Sequence, residues 1–196
     1  MDAIIFEAVT KYYRDPSFRY VFKPRLSVGI ESVSFKVARG ETFGILGLNG
    51  AGKTTTFKLM LGLLRPDEGR VSVGGFTMPQ ERAQALSLVG YLPEISYFQK
   101  NLSVFETMMF LLDISSPKNF HASPSGELSF SQKKKNIFDI LKLVGLDAVS
   151  DRKVGKLSKG MMQRLGIAQS LVNDPGILIY DEPTSGLDPL GIKEMR

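Results

Sequence analysis

The stretch Gly47-Leu48-Asn49-Gly50-Ala51-Gly52-Lys53-Thr54 decides how this chain is read. It has the form G-x-x-x-x-G-K-T. An apolar segment, Phe43 to Leu46, precedes it, and Phe57, Met60, Leu61 and Leu64 follow at helical spacing. That order predicts a strand, a glycine loop and a helix, and therefore an α/β fold. Backbone N–H groups of such a loop point inward and, with the positive end of the following helix, cradle phosphate oxygens. A side chain at Gly50 or Gly52 would crowd the phosphates or demand an unfavourable φ. Lys53 then supplies a point charge for the β- and γ-phosphates, and the Thr54 hydroxyl a Mg²⁺ ligand.

The composition is that of an ordinary globular domain: 196 residues, 43% hydrophobic and 23% charged. No apolar run approaches the roughly 18 residues that a membrane span needs. The start, MDAIIFEAVT, carries an acidic residue where a signal peptide is basic, so a cytosolic chain is expected. With no cysteine, disulfides and thiolate metal sites are excluded. The one histidine, His121, falls in a Pro/Ser loop, so neither zinc nor histidine-based catalysis is expected. The net charge of +5 suits nucleic acid or an anionic membrane surface and is too diffuse to choose between them.

Along the chain, Ile4, Phe6 and Ala8 alternate as in a strand, and Thr10-Lys11-Tyr12-Tyr13 leads to a turn at Asp15-Pro16. A tyrosine here is either a base platform or a packed strand end. Residues 14–29 mix Arg14, Arg19, Lys23 and Arg25 with Phe18, Tyr20 and Phe22, and read as a surface hairpin that could touch RNA, lipid or a partner. Val33, Phe35 and Val37 alternate as a second strand, and Ala38 to Glu41 turns into the strand before the glycine loop. The loop's helix should end near Leu64, before Pro66. Val71 and Val73 before Gly74-Gly75 suggest a further strand, with these strands forming an antiparallel sheet. A short helix is expected over 80–88, and a buried strand over 88–92 closed by Pro93. Glu94 follows, where ligands bind in α/β folds.

Residues 102–112 read as a helix with Ser103 and Glu106 spaced as a capping box. Residues 113–131 are Ser/Pro-rich loop, and Ile137, Ile140, Leu141 and Val144 mark a second helix ending at Gly145, with Lys133, Lys134 and Lys135 at its start as a solvated face. A third helix begins after Ser158, its natural N-cap, and runs to about Val172. A Ser/Gly-rich helix start is also an anion site. Ile177 to Tyr180 is an unbroken apolar run, as in a strand covered on both faces, and ends in Asp181-Glu182. In P-loop NTPases the acid after such a strand holds Mg²⁺ with the loop Ser/Thr, and an adjacent carboxylate orients the attacking water.

Five stretches in order, GLNGAGKTTT, GYLPE, LSKGM followed by QR, ILIYDEP and SGLD, resemble the Walker A, Q-loop, signature, Walker B and D-loop motifs of the nucleotide-binding subunit of ATP-binding cassette (ABC) transporters. The resemblance covers nearly the whole chain. It is nearest to exporters whose membrane subunit is a separate chain. It implies a P-loop NTPase core with a mostly parallel sheet, an antiparallel β subdomain and a helical subdomain: core and β subdomain over 1–93 and 173–196, helical subdomain with the signature over 94–172. The cofactors implied are ATP and Mg²⁺. Tyr13 would stack on adenine, with Tyr12 as its competitor, and Gly47 to Thr55 would bind phosphates and metal. Asp181, Thr54 and Glu94 would serve the metal, and Glu182 would be the general base, with Lys53 and Glu94 beside it. Ser158 and Gly160 would contact the γ-phosphate held by a second cassette, and Asp188 would sit at that dimer seam.

The implied partners are a transmembrane permease subunit and a second copy of the chain, with no nucleic acid, at the inner face of the cell membrane. Glu94 stands where the family usually has Gln, and Lys159 and Met161 replace the more common Gly and Gln of the signature. The switch histidine expected about 30 residues beyond Walker B is not reached before Arg196, so an incomplete C-terminus is expected. The function implied is ATP hydrolysis at a dimer interface, powering export. The alternatives are a soluble cassette ATPase acting on ribosome or nucleic acid, which usually carries two cassettes or a long coiled coil, and an ATP-binding fragment without hydrolysis.

Overall fold

Two 13-residue strands, β1 (Asp2–Arg14) and β2 (Leu26–Ala38), form the longest pairing in the chain, antiparallel from Asp2 against Ala38 to Arg14 against Leu26. The computed structural model describes residues 2–14, 26–115 and 129–184, and the chain divides into two units, Met1–Leu88 and Val89–Arg196. In the first unit, β3 (Glu68–Val73) and β4 (Phe76–Met78) complete an antiparallel sheet of order β2-β1-β3-β4. Alternation puts Ile4 and Phe6 inside, and a bulge then shifts the register, so that Val9 and Thr10 are both buried. At the bulge Ala8 has φ 46, and Ser34 Oγ accepts its N–H at 2.8 Å. Gly69 lies against the bulge: a Cβ there would collide with the Glu7 and Ala8 carbonyl oxygens.

The segment before the glycine loop departs from expectation. Residues 41–48 carry no regular structure, and Leu46 and Leu48 are 96% and 86% exposed. Phe43 stacks on Phe35, which stacks on Phe6, with centroids 5.1 and 4.5 Å apart. An apolar run becomes a strand only when another strand takes its N–H and C=O groups, and among the described residues none pairs with this one. The helix after the loop, α1 (Lys53–Met60), also stops earlier than Leu64. Gly62, at φ 61, turns the chain, and the N–H groups of Leu63 and Leu64 return to the Lys58 carbonyl. A short α2 (Arg82–Leu86) closes the unit, with Arg82 Nε donating to the Leu61 carbonyl.

The second unit pairs β5 (Val89–Leu92) with β6 (Ile177–Tyr180) in parallel. Three helices, α3 (Val104–Ser115), α4 (Phe130–Leu143) and α5 (Lys159–Leu171), enclose a core of Val104, Met108, Ile137, Leu141 and Leu165, all fully buried. The Ser103/Glu106 capping box is present at α3, where Ser103 Oγ accepts the Glu106 N–H and Glu106 Oε2 the Ser103 N–H. Its Glu106 carboxyl is held below the usual carboxylate range, first by that Ser103 N–H and then by Lys153. Helix α4 begins earlier than its apolar repeat because Ser129 and Gln132 form a second capping box. Lys133, Lys134 and Lys135 thus lie inside α4. In β6 only Ile179 is buried and Leu178 is 47% exposed, so the strand is not covered on both faces among the described residues. Residues 15–25, His121 with 116–128, the Ser185 to Asp188 stretch and the last expected helical start lie outside the described residues.

Asp67 ties the far end of β1 to the segment after α1: it accepts the Tyr12 N–H at 2.7 Å and pairs with Lys11 at 3.0 Å. The Tyr12 N–H, and then Lys11, hold its carboxyl below the ordinary value despite slight desolvation. A depressed folded-state pKa means that the contribution is complete above the unfolded-state value of about 4 and is lost as pH falls through the folded one. Asp67→Asn is therefore expected to lower the melting temperature at pH 7 and to flatten its decline below about pH 4, as read by circular dichroism across a pH series.

Candidate functional site

The glycine loop is shaped by two residues that no side chain could replace without strain. Gly50 and Gly52 have φ 85 and 93, and the Ala51 N–H closes a turn on the Leu48 carbonyl at 3.1 Å. Gly52 is the N-cap of α1, and no side chain caps the first turn, so its N–H groups face outward from a helix start. A Cβ on Gly52 would collide with Ile30 and lie 2.5 Å from the Gly29 carbonyl oxygen. Strand β2 thus runs directly beneath the start of α1. Lys53 Nζ donates to the carbonyls of Gly47 at 2.7 Å and Leu48 at 3.3 Å, which lays the cation across the loop. Asn49, Ala51 and Thr54 are exposed, while Thr55 and Thr56 are buried.

Of the two competing tyrosines, Tyr13 is the one directed to the loop. Its hydroxyl lies 3.0 Å from Thr55 Oγ1. Tyr12 is held through its backbone by Asp67. The ring of Tyr13 rests on Gly29, where a Cβ would stand 2.6 Å from Cε2. Gly29 was not among the residues singled out by sequence, although a glycine inside an alternating strand is itself a sign of close approach.

In the second unit the parallel ladder continues past β6, with the Asp181 N–H donating to the Leu92 carbonyl at 2.9 Å. Asp181 is partly buried and Glu182 exposed where the strand emerges. Burial, and then the Asp181 charge, push the neighbouring Tyr91 hydroxyl above its ordinary pKa. Glu182 has φ 49, a left-handed backbone that costs a residue with a Cβ roughly 1–2 kcal/mol. Next to it, the Pro183 carbonyl accepts a hydrogen bond from Gln163 Nε2 of α5 at 2.7 Å. Helix α5 starts at Ser158, whose Oγ accepts the Met161 N–H at 3.2 Å, with Ser158 exposed and Gly160 partly so. Glu94 is exposed just beyond β5. Gln163 joins the site only through the fold, because its distance from Pro183 along the chain hides the contact.

Thr54 and Asp181 offer hard oxygen donors of the kind Mg²⁺ takes, and each has exposed surface. Among the described residues no group of three or more His, Cys, Asp or Glu could hold a metal without further ligands. Each donor, in its own unit, is of the type taken by an ion that draws its other ligands from phosphate oxygens and water. Among the described residues no helix is long and apolar enough to cross a membrane.

Comparison with known proteins places these features in one family. The profile of the ABC transporter family matches residues 30–185. The bacitracin transport ATP-binding protein BcrA of Bacillus licheniformis is 38% identical over 85% of this chain and 50% of its own. The Nod factor export ATP-binding protein I of Burkholderia orbicola (strain AU 1054) is 38% identical over 82% of this chain and 49% of its own. The chain therefore spans about half the length of the curated relatives it matches. Among solved structures, cbiO1 from Clostridium perfringens, part of the ABC transporter complex cbiONQ, superposes with a TM-score of 0.79 at 26% identity, over 99% of this chain and 70% of that one.

The loop geometry separates two glycines of the same motif. Gly52→Ala brings a Cβ onto backbone and Ile30 and is expected to cost more than about 2 kcal/mol, whereas Gly50→Ala, with nothing within 4 Å of its Cβ, pays only the backbone term of about 1 kcal/mol. Urea unfolding of the two variants beside the parent chain checks the order.

Proposed function

The chain belongs to the ABC transporter family, and from that premise we propose that it is the ATP-hydrolysing cassette of an exporter, working as a pair of copies beneath a separate membrane subunit. What carries this reading is the second helix start. Ser158 and Gly160 stand at the solvent-facing N-terminus of α5, and the same helix is fastened by Gln163 to the carbonyl beside Glu182. A helix N-terminus is an anion site, and one in the open can serve a phosphate that the other copy holds. The link from Gln163 to Pro183 gives that contact a route to the carboxylate that handles water.

In this scheme the stretch Gly47 to Thr55 binds the phosphates of ATP, and Lys53 exchanges the Gly47 and Leu48 carbonyls for phosphate oxygens. Thr54 of the first unit and Asp181 and Glu94 of the second are the residues that would hold Mg²⁺, which when bound would supply positive charge to the phosphoryl group. Glu182 orients the attacking water and accepts its proton, and Tyr13 supplies a ring to the base. Two copies close head to tail around two nucleotides, and loss of the γ-phosphate lets them part. The names of the relatives, a bacitracin transporter component and a Nod factor exporter component, support an export role. The structural neighbour cbiO1 is part of a transporter complex, which supports a transmembrane permease as partner and a place for the cassette at the cytoplasmic face of the membrane.

Glu182→Gln keeps the shape of the carboxylate and removes its basicity. In the complete protein it is expected to abolish turnover by at least about a hundredfold while ATP holds a stable dimer, measured by phosphate release and size-exclusion chromatography with and without ATP. Only monomers in the presence of ATP would count against the paired scheme.

A further inference from the structure

Thr55 occupies the third position of α1, in the turn whose N–H groups face the phosphate loop, and its side chain is buried. Its neighbour Thr56 donates back to the Gly52 carbonyl at 3.1 Å and is occupied within the helix. The Thr55 hydroxyl instead meets the Tyr13 hydroxyl, at 3.0 Å. Tyr13 is not free to wander from this position. Its backbone is paired with Ser27 of β2, and its ring lies on Gly29, the same residue whose carbonyl lies against Gly52. A single glycine therefore seats both the tyrosine ring and the start of the phosphate-loop helix.

We propose that the Thr55 hydroxyl donates to the Tyr13 hydroxyl and that a phosphate oxygen competes for that proton, so that the tyrosine sets polyphosphate affinity through its hydroxyl and not only through its ring. The inference rests on the nucleotide-site reading above. A phosphate oxygen is a charged acceptor and makes a stronger hydrogen bond than a phenol does. It therefore displaces the phenol, but the bond that is broken is subtracted from binding. The phenol has somewhere to go: Tyr13 is 36% exposed, so water takes over its hydrogen bond. The exchange frees the phenol oxygen while the ring keeps its seat on Gly29.

The test is isothermal titration of the whole chain with ATP and, separately, with tripolyphosphate, which has no base for a ring to touch. Tyr13→Phe keeps the ring and removes the competitor, and is expected to bind tripolyphosphate about three- to tenfold more tightly than the parent. Tyr13→Leu, which also removes the hydroxyl and leaves Gly29 in place, is expected to move tripolyphosphate binding in the same direction, and carries the test alone if the phenylalanine variant does not fold. Tripolyphosphate affinity that is unchanged or weaker in the variant tested overturns the competition, while ATP binding by the parent chain leaves the nucleotide-site reading in place. A parent chain that binds neither ligand overturns both.

Discussion

Helix α5 lies on strand β5 at two glycines, Gly90 and Gly166, and the second unit is arranged around that contact. A Cβ on Gly90 would collide with the Ser170 carbonyl oxygen, and one on Gly166 would stand 2.7 Å from Leu92 Cδ1. Interiors are packed so densely that a methyl group would force backbone to move at Gly90 and the Leu92 and Ser96 side chains to shift at Gly166. The close approach lets Ser170 Oγ reach the Tyr180 hydroxyl at 3.1 Å and Gln163 reach the Pro183 carbonyl. The helix that begins at Ser158 and the strand that ends at Asp181 therefore behave as one body. A displacement at one end of α5 is felt where the strand emerges.

The first unit solves a different problem, that of holding a loop open against its own polar groups. Exposed N–H groups at a helix start and a lysine with carbonyls in reach tend to satisfy each other. Here the Lys53 ammonium lies on the carbonyls of Gly47 and Leu48, and the left-handed angles at Gly50 and Gly52 keep the loop from collapsing further. Beneath it, the β1 and β2 pairing fixes Gly29 and Ile30 as a floor. Binding a polyphosphate then requires exchange of hydrogen bonds rather than formation of a new backbone shape, and preorganisation of this kind lowers the cost of association.

What could be read from the residues alone was local. The phosphate-loop motif, the Ser103 and Glu106 capping box, the Ser158 N-cap and the acids after Ile177 to Tyr180 are each written within a few positions, and each was legible for that reason. Phe43 to Leu46 was misread because its apolar pattern says nothing about whether a ladder partner exists, and a strand is a property of two segments. The early start of α4 escaped because the Ser129 and Gln132 box lies outside the apolar repeat that marks the helix. Gly29 and Gln163 escaped for a third reason: each matters through a residue far away in the chain, Tyr13 and Gly52 for one, Pro183 for the other.

The left-handed backbone at Glu182 has an evolutionary side. Glycine and asparagine adopt that conformation with least penalty, so a library screened for thermal tolerance alone would drift toward them at this site. Neither has a carboxylate to offer water. A carboxylate at position 182 is thus held at a conformational cost, and that position is where stability and the proposed turnover can be told apart.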